Sequence, residues 1–156
     1  MQLKGKDRHK TEPIVGVMQL ARPEKKITKE ELVWLQQIVI DNPRFTKMGW
    51  RGQEGFMGEH DRRHGTPIPD HISSKWKNIH SLIDGLIATD QKLEKDDSYD
   101  AVLAAAMIAF GFVFIHPFVD GNGRIHRYLN SSCIIKKRVC IQRNYFPYFR
   151  NYSGTS

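Results

Sequence analysis

The sequence predicts a mainly helical, all-α bundle carrying one small β-hairpin. Three observations predict it. Apolar residues recur every three or four positions in two segments, Leu32 to Val39 and Ile72 to Ile87. A third segment, Tyr99 to Ile115, is almost entirely apolar over a helix length. Between the first two, residues 44–71 hold seven glycines and prolines, which suits a hairpin and not a helix.

Residues 1–26 are polar and basic apart from an apolar patch at Ile14 to Leu20, and read as an N-terminal arm or connector. Thr28-Lys-Glu-Glu31 is a capping box, in which a hydroxyl and a carboxylate satisfy the first free N–H groups of a helix. The helix runs from Lys29 to about Ile40, with Leu32, Leu35, Ile38 and Val39 inward, and Asp41-Asn42-Pro43 ends it. Gly49, Gly52, Gly55 and Gly58 punctuate the hairpin, with Trp50 and Phe56 on its arms. Gly65-Thr-Pro-Ile-Pro69 leads out of it. Ser73 or Ser74 caps the next helix. Its face is Ile72, Trp76, Ile79, Ile83, Leu86 and Ile87, it reaches about Leu93, and Glu94-Lys-Asp-Asp-Ser98 turns the chain. The third helix is apolar all round, so it belongs in the centre of the domain. It delivers His116 at its C-terminal end, where Pro117 stops it. A fourth helix begins near Asn122 and carries Arg124 and Arg127 on one face.

A chain of 156 residues with 40% hydrophobic residues suits one globular domain. No apolar run reaches membrane-spanning length; Gly111, His116 and Pro117 break the longest, Ala101 to Phe118. The N-terminus has lysines but no apolar core of a secretory signal, so the expected location is cytoplasmic. The net charge of +7 invites a nucleic-acid reading, but its distribution opposes one. Lys136, Lys137, Arg138, Arg143 and Arg150 supply five of those charges within 130–156, a stretch with no acids. Neither nucleic acid nor membrane is an expected partner. Cys133 and Cys140 read as free thiols.

The chemistry concentrates in His116-Pro-Phe-Val-Asp-Gly-Asn-Gly-Arg-Ile-His-Arg127. A Gly-Asn-Gly turn opening a helix offers free backbone N–H groups to phosphate. Arg124 and Arg127 add forked charge for phosphate oxygens. Asp120 can hold magnesium against the same phosphates. His116 can take a proton from an attacking hydroxyl. Other candidates are weaker. His60 and His64 are four apart, but no helix is expected there to make them a metal pair. Arg62-Arg63 reads as solvated loop, His126 as helix surface, and Trp34 and Trp76 as packing groups.

This stretch resembles the Fic family signature, H-x-F-x-[D/E]-G-N-G-R-x-x-R. His116, Phe118, Asp120, Gly121, Asn122, Gly123, Arg124 and Arg127 all match it. The resemblance extends from Ile27 to Leu129. It includes Gly58-Glu-His-Asp-Arg62 through Ser73, which is similar to the family's flap, and Phe110-Gly-Phe-Val-Phe-Ile-His116. It implies a Fic-type helical bundle with a β-hairpin flap at about 44–71. Such proteins are usually longer at both ends, so a fragment or a minimal core lacking its last helices is expected.

The resemblance also implies an activity, the transfer of AMP from ATP to a Ser, Thr or Tyr hydroxyl of a target protein. His116 would then be the general base and Asp120 the ligand for Mg2+ bridging the α- and β-phosphates. Gly121 and Gly123 would allow close backbone approach, and Asn122 would stabilise charge on the α-phosphate. Arg124 and Arg127 would grip the outer phosphates, and Phe118 would anchor the loop. The flap would dock the target, with Gly55, Phe56 and Met57 as candidate contacts. Intact Gly123 favours AMP transfer, since a branch that transfers phosphate instead has lysine there. The family's inhibitory motif, [S/T]-x-x-x-E-[G/N], does not occur in this sequence. Any restraint is then expected on a missing segment or an inhibitory partner. Two rivals remain. One is a truncated, inactive remnant, and the other is a non-catalytic nucleotide-binding module.

After Leu129 the pattern changes. Asn130-Ser-Ser-Cys133 breaks the helical periodicity, and Tyr145-Phe-Pro-Tyr-Phe149 is aromatic without a period. Codons permitted for Asn130 to Ser156, read one base later, can spell IHHVLLKKEFVSKGIIFPISGTILER. That string continues the helix and is similar to the segment after the signature in larger Fic proteins. The hypothesis is a reading frame shifted near Asn130, so that the C-terminal part of the fold is missing or altered. The other reading is a divergent basic tail. Sequencing the coding DNA is expected to yield codons that spell the periodic string one base later; incompatible codons would end the idea.

Overall fold

The computed structural model describes residues 26–40, 44 and 46–145, the last of these (139–145) as backbone only. The expected arm at 1–25, the Asp41-Asn42-Pro43 stop and the aromatic run beyond Tyr145 lie outside the described residues. The described chain forms four helices and one two-stranded antiparallel sheet, as expected of a helical Fic-type fold.

Helix α1 is Lys29–Val39. Its cap forms as the sequence requires: the Glu31 N–H donates to Thr28 Oγ1 at 3.2 Å. Leu32, Leu35 and Val39 are buried.

The hairpin pairs β1, Phe56–His60, with β2, Pro67–Ile72, in the register Phe56 to Ile72 and His60 to Pro67. It starts later and ends later than the glycine spacing suggests. Trp50 is not on an arm; it forms an isolated bridge to Phe118. Pro67-Ile-Pro69 does not lead out of the hairpin but is its second strand. Each strand of a two-stranded sheet has a free edge, where the missing N–H of proline does no harm. Gly58 sits at the bulge with φ +146°, and a Cβ there would meet the Ile68 carbonyl oxygen at 2.2 Å. Only glycine fits.

A 3-10 turn, Trp76–Asn78, leads into α2, Ile79–Lys95. Ser73 and Ser74 do not cap it. Ser74 Oγ donates instead to the Ile115 carbonyl at 2.8 Å, and Ser73 Oγ is buried without a partner. Ile79, Ile83, Leu86 and Leu93 face inward; Ile72 lies on β2, exposed.

Helix α3, Ala101–Ile115, is capped by Asp100, whose Oδ1 accepts from Val102 N–H at 2.8 Å and Leu103 N–H at 3.3 Å. It is not buried all round. Ala104, Ala105, Ile108, Ala109 and Phe112 are enclosed, while Val102, Leu103, Met107, Phe110 and Phe114 are exposed, Phe110 by 64%. Composition without a period cannot say which side is covered. Here the small residues set that side, because alanines and Gly111 let α2 and α4 approach closely. A Cβ on Gly111 would come 2.8 Å from Leu86 Cδ1.

Helix α4, Asn122–Tyr145, runs unbroken through Asn130–Cys133, where the sequence pattern breaks. Its inward residues are Ile125, Tyr128, Leu129, Ser132, Cys133, Lys136 and Lys137. Helical periodicity thus persists past Leu129, but polar residues occupy it. Cys133 and Lys137 have specific partners there, while Lys136 Nζ is buried without a hydrogen bond. Cys133 Sγ lies 3.7 Å from Asp90 Oδ1. Lys137 Nζ donates to the Leu93 carbonyl at 2.8 Å and to the Asp96 carbonyl, closing the C-terminus of α2. Among the described residues, no helix is long and apolar enough to cross a membrane.

Replacing Lys137 by alanine is expected to lower stability by roughly 1–3 kcal/mol, since buried carbonyls at the end of α2 lose their charged donor. Urea denaturation with an unchanged midpoint would show that the second half of α4 is not docked on α2.

Candidate functional site

The signature occupies the end of α3, the loop 116–121 and the start of α4. Helix α3 ends at Ile115, and its C-cap is His116 in the left-handed region, φ 53° and ψ 60°. A non-glycine residue there is uncommon and costs about 1–2 kcal/mol. Pro117 helps explain it, because the residue before a proline is driven out of the right-handed helical region. Nδ1 of the His116 ring is buried and has no hydrogen-bond partner. Burial pushes the imidazole below its ordinary pKa. The nearby Arg51 and His71 push the same way, while the Val113 carbonyl, near the ring but outside hydrogen-bonding geometry, opposes them.

The loop is closed by Asn122. Its Oδ1 accepts from the Phe118 N–H at 3.0 Å and its Nδ2 donates to the Phe118 carbonyl at 2.8 Å. That side chain is 2% exposed and holds the loop on both sides of one residue. Phe118 is fully buried, stacked on Trp50 with ring centroids 4.9 Å apart. Gly121 takes φ +92°, and a Cβ there would press on Val39 Cγ2 at 3.1 Å. Its carbonyl accepts from Ile125 N–H at 3.0 Å, the first bond of α4. The N–H groups of Asn122 and Gly123 lie before that bond and have no acceptor within the helix. Nothing stands within 4 Å of where a Gly123 Cβ would be. An anion can approach the helix start there.

Asp120 is exposed and its Oδ1 accepts from the Gly121 N–H at 2.6 Å. Arg124 turns toward α1 and donates to the Val39 carbonyl, whereas Arg127 is exposed one turn further on. The two arginines share a helix side but meet different surroundings. Gly55 precedes β1 and Phe56 and Met57 begin it, with Met57 opposite His71. His71 Nε2 lies 3.0 Å from the Phe114 carbonyl, and the two rings are 4.8 Å apart. The hairpin is therefore seated on the end of α3 beside His116.

Among the described residues, no group of three or more His, Cys, Asp or Glu side chains could enclose a metal. A lone exposed carboxylate beside a phosphate seat is nevertheless a donor set that magnesium accepts, since phosphates and water supply its other ligands. Asp120 fits that description. His64 Nδ1 lies 2.8 Å from Asp61 Oδ2, and the His60 ring rests against Phe56.

Two residues matter here that sequence patterns do not single out. Gln36, fully buried on α1, donates to the Asp120 carbonyl at 3.3 Å and accepts from the Gly49 N–H at 2.7 Å. Arg51, 6% exposed, donates through Nε to the His116 carbonyl at 2.7 Å and through Nη1 to the Gln53 carbonyl at 2.7 Å. Nothing in their own neighbourhoods marks them. A glutamine on a helix and an arginine in a glycine-rich loop read as surface groups until distant carbonyls are placed beside them.

The Fic/DOC family pattern matches residues 26–133. The chain is 24% identical over 118 residues to a "Protein adenylyltransferase Fic" of Nematostella vectensis, over 75% of this chain and 25% of that protein. Its fold is similar to that of a Fic domain containing signaling protein from Bacteroides thetaiotaomicron VPI-5482, with a TM-score of 0.58 and 19% identity. That likeness covers 88% of this chain and 52% of the other, so the chain spans about half the solved relative and a quarter of the curated one. The matched stretch takes in the capped first helix, the hairpin and the whole loop that joins His116 to Arg127, and on that ground the chain belongs to the Fic/DOC family.

Proposed function

We propose that this chain is the core of a protein adenylyltransferase, moving AMP from ATP to a Ser, Thr or Tyr hydroxyl of a target protein. One observation carries the reading. His116 ends α3 and Asn122 begins α4, so a base and a phosphate seat share one short, tightly held loop.

In this reading the phosphates of ATP lie at the start of α4, against the N–H groups of Asn122 and Gly123. Open space at Gly123 supports that approach. The Asn122 amide is engaged with Phe118, so its backbone N–H, more than its side chain, would meet charge on the α-phosphate. Arg127, exposed, and Arg124, beside α1, are the candidates for the outer phosphates. Asp120 would hold Mg2+, which when bound offsets charge on the phosphate oxygens. His116 Nε2 accepts the proton of the target hydroxyl as that oxygen bonds to the α-phosphorus. The bond from the α-phosphorus to the bridging oxygen breaks, and pyrophosphate leaves with the electron pair. A target segment would lie extended beside β1, near Gly55, Phe56 and Met57.

Incubation with α-labelled ATP, magnesium and a cell lysate is expected to label protein, and γ-labelled ATP is not. Substituting His116 by alanine should cut labelling by roughly 10²–10⁴-fold; labelling that survives it would sink the mechanism. A folded wild-type chain that binds ATP yet labels nothing would favour the nucleotide-binding module.

The pH dependence has a fixed sign. The base must be neutral, and burial holds its pKa below that of free imidazole. The rate should therefore rise with pH through a value under about 6.5 and be flat at neutral pH. A midpoint above 7 would point to another base.

A further inference from the structure

Four bonds converge on the turn that carries His116, and one residue, Arg51, makes three of them. The last carbonyls of a helix have no partners within it. At the end of α3 they are taken by Arg51 and Ser74. The Ile115 carbonyl accepts from Ser74 Oγ at 2.8 Å and from Arg51 Nη2 at 3.4 Å. The His116 carbonyl accepts from Arg51 Nε at 2.7 Å, and the Pro117 carbonyl from the Arg51 backbone N–H at 3.0 Å. Arg51 thus binds three consecutive carbonyls, on both sides of the one described non-glycine residue with positive φ.

The rest of the guanidinium is fixed too. Nη1 donates to the Gln53 carbonyl at 2.7 Å, and Nη2 to the Ser74 carbonyl and to Ser74 Oγ at 3.3 Å. A planar fork held at all three of its nitrogens cannot tilt without breaking several bonds. Backbone strain of the kind at His116 persists only where its surroundings over-determine it.

We propose that Arg51 is the positioning residue of this site, fixing the left-handed turn that carries the His116 ring. The proposal rests on the reading of His116 as the base. Arg51 has a second effect through its charge, which stays on at all relevant pH. Burial is the first cause that keeps the ring neutral; Arg51, then His71 from β2, are the charged or titratable groups acting in the same direction. Arg51 itself has a nearby acid, Glu54, which moderates that field.

The test has two arms, one of them independent of activity. NMR titration of the His116 ring in folded Arg51→Gln is expected to move up from its wild-type midpoint, toward the ordinary value near 6.5. An unmoved midpoint would overturn the charge effect, and unmoved His116 Cα and Cβ shifts would overturn the positioning. If Arg51→Gln does not melt cooperatively, Arg51→Lys serves instead. It keeps the charge but loses the fork, so the Cα and Cβ shifts should leave their left-handed values; shifts like wild type would overturn the proposal.

The second arm is kinetic. Arg51→Lys is expected to lower kcat for AMP transfer by about 10–100-fold, with KM for ATP little changed, because a displaced base loses its attack geometry. A fall in KM-type binding alone, with kcat intact, counts against positioning. If wild-type protein transfers no AMP while the ring titration and shifts respond to Arg51, the functional reading fails and the positioning stands.

Discussion

Two helix ends face each other across six residues, the carbonyl end of α3 and the N–H end of α4. Each end must find partners for groups its own helix cannot satisfy. The protein treats them differently. Arg51 and Ser74 give the α3 carbonyls their donors. The first N–H groups of α4 receive no such partner from the helix, while Asn122 spends its amide on holding Phe118. One end is thus locked by protein, and the other keeps N–H groups that its helix does not satisfy. The rest of the structure is arranged to keep that asymmetry.

The arrangement has an electrostatic consequence. A cation at a helix C-terminus offsets the negative end of its dipole, and an anion at an N-terminus is favoured by the positive end. Arg51 serves the first role inside the protein. Its charge near His116 then adds to burial in keeping the imidazole uncharged. Capping the helix and lowering the pKa of the imidazole are thus the work of one side chain. Gln36 extends the same logic to the other side of the loop, tying the Asp120 carbonyl to α1 and, through Gly49, to the segment that carries Arg51.

Much of this was legible in the sequence, for local reasons. Thr28 and Glu31 announce a cap that needs only four residues. The turn from His116 to Arg127 is defined by residues twelve or fewer apart, and the helix that leads into it by an apolar run. What the sequence hid depends on distance. Arg51 and Gln36 act on carbonyls many tens of residues away, and no period records that. Pro67 and Pro69 argue against a strand until the sheet proves to have free edges. Helix α3 offers apolar residues on every side, so its covered side was set by where the alanines and Gly111 fall. Its stripe at Leu103, Met107 and Phe110 stays exposed, and Phe114 meets the His71 ring of β2.

The stretch beyond Leu129 looks discordant in sequence yet remains helical, because helical register is set by contacts made before it and by a few inward positions within it. Those positions are Ser132, Cys133, Lys136 and Lys137, all buried, with Cys133 and Lys137 meeting α2. Read one base later, the permitted codons still place lysine at both 136 and 137, so the closure of α2 by Lys137 is common to either frame. Cys133 would become valine, removing a thiol that burial beside Asp90 pushes up to about 12. The anchors of the site lie elsewhere. Arg51, Ser74, Gln36, Asn122 and the bond from Arg124 to Val39 all come before residue 125. An altered tail would therefore act on the stability of α2 against α4, and reach the His116 turn only through the rigidity of α4 itself.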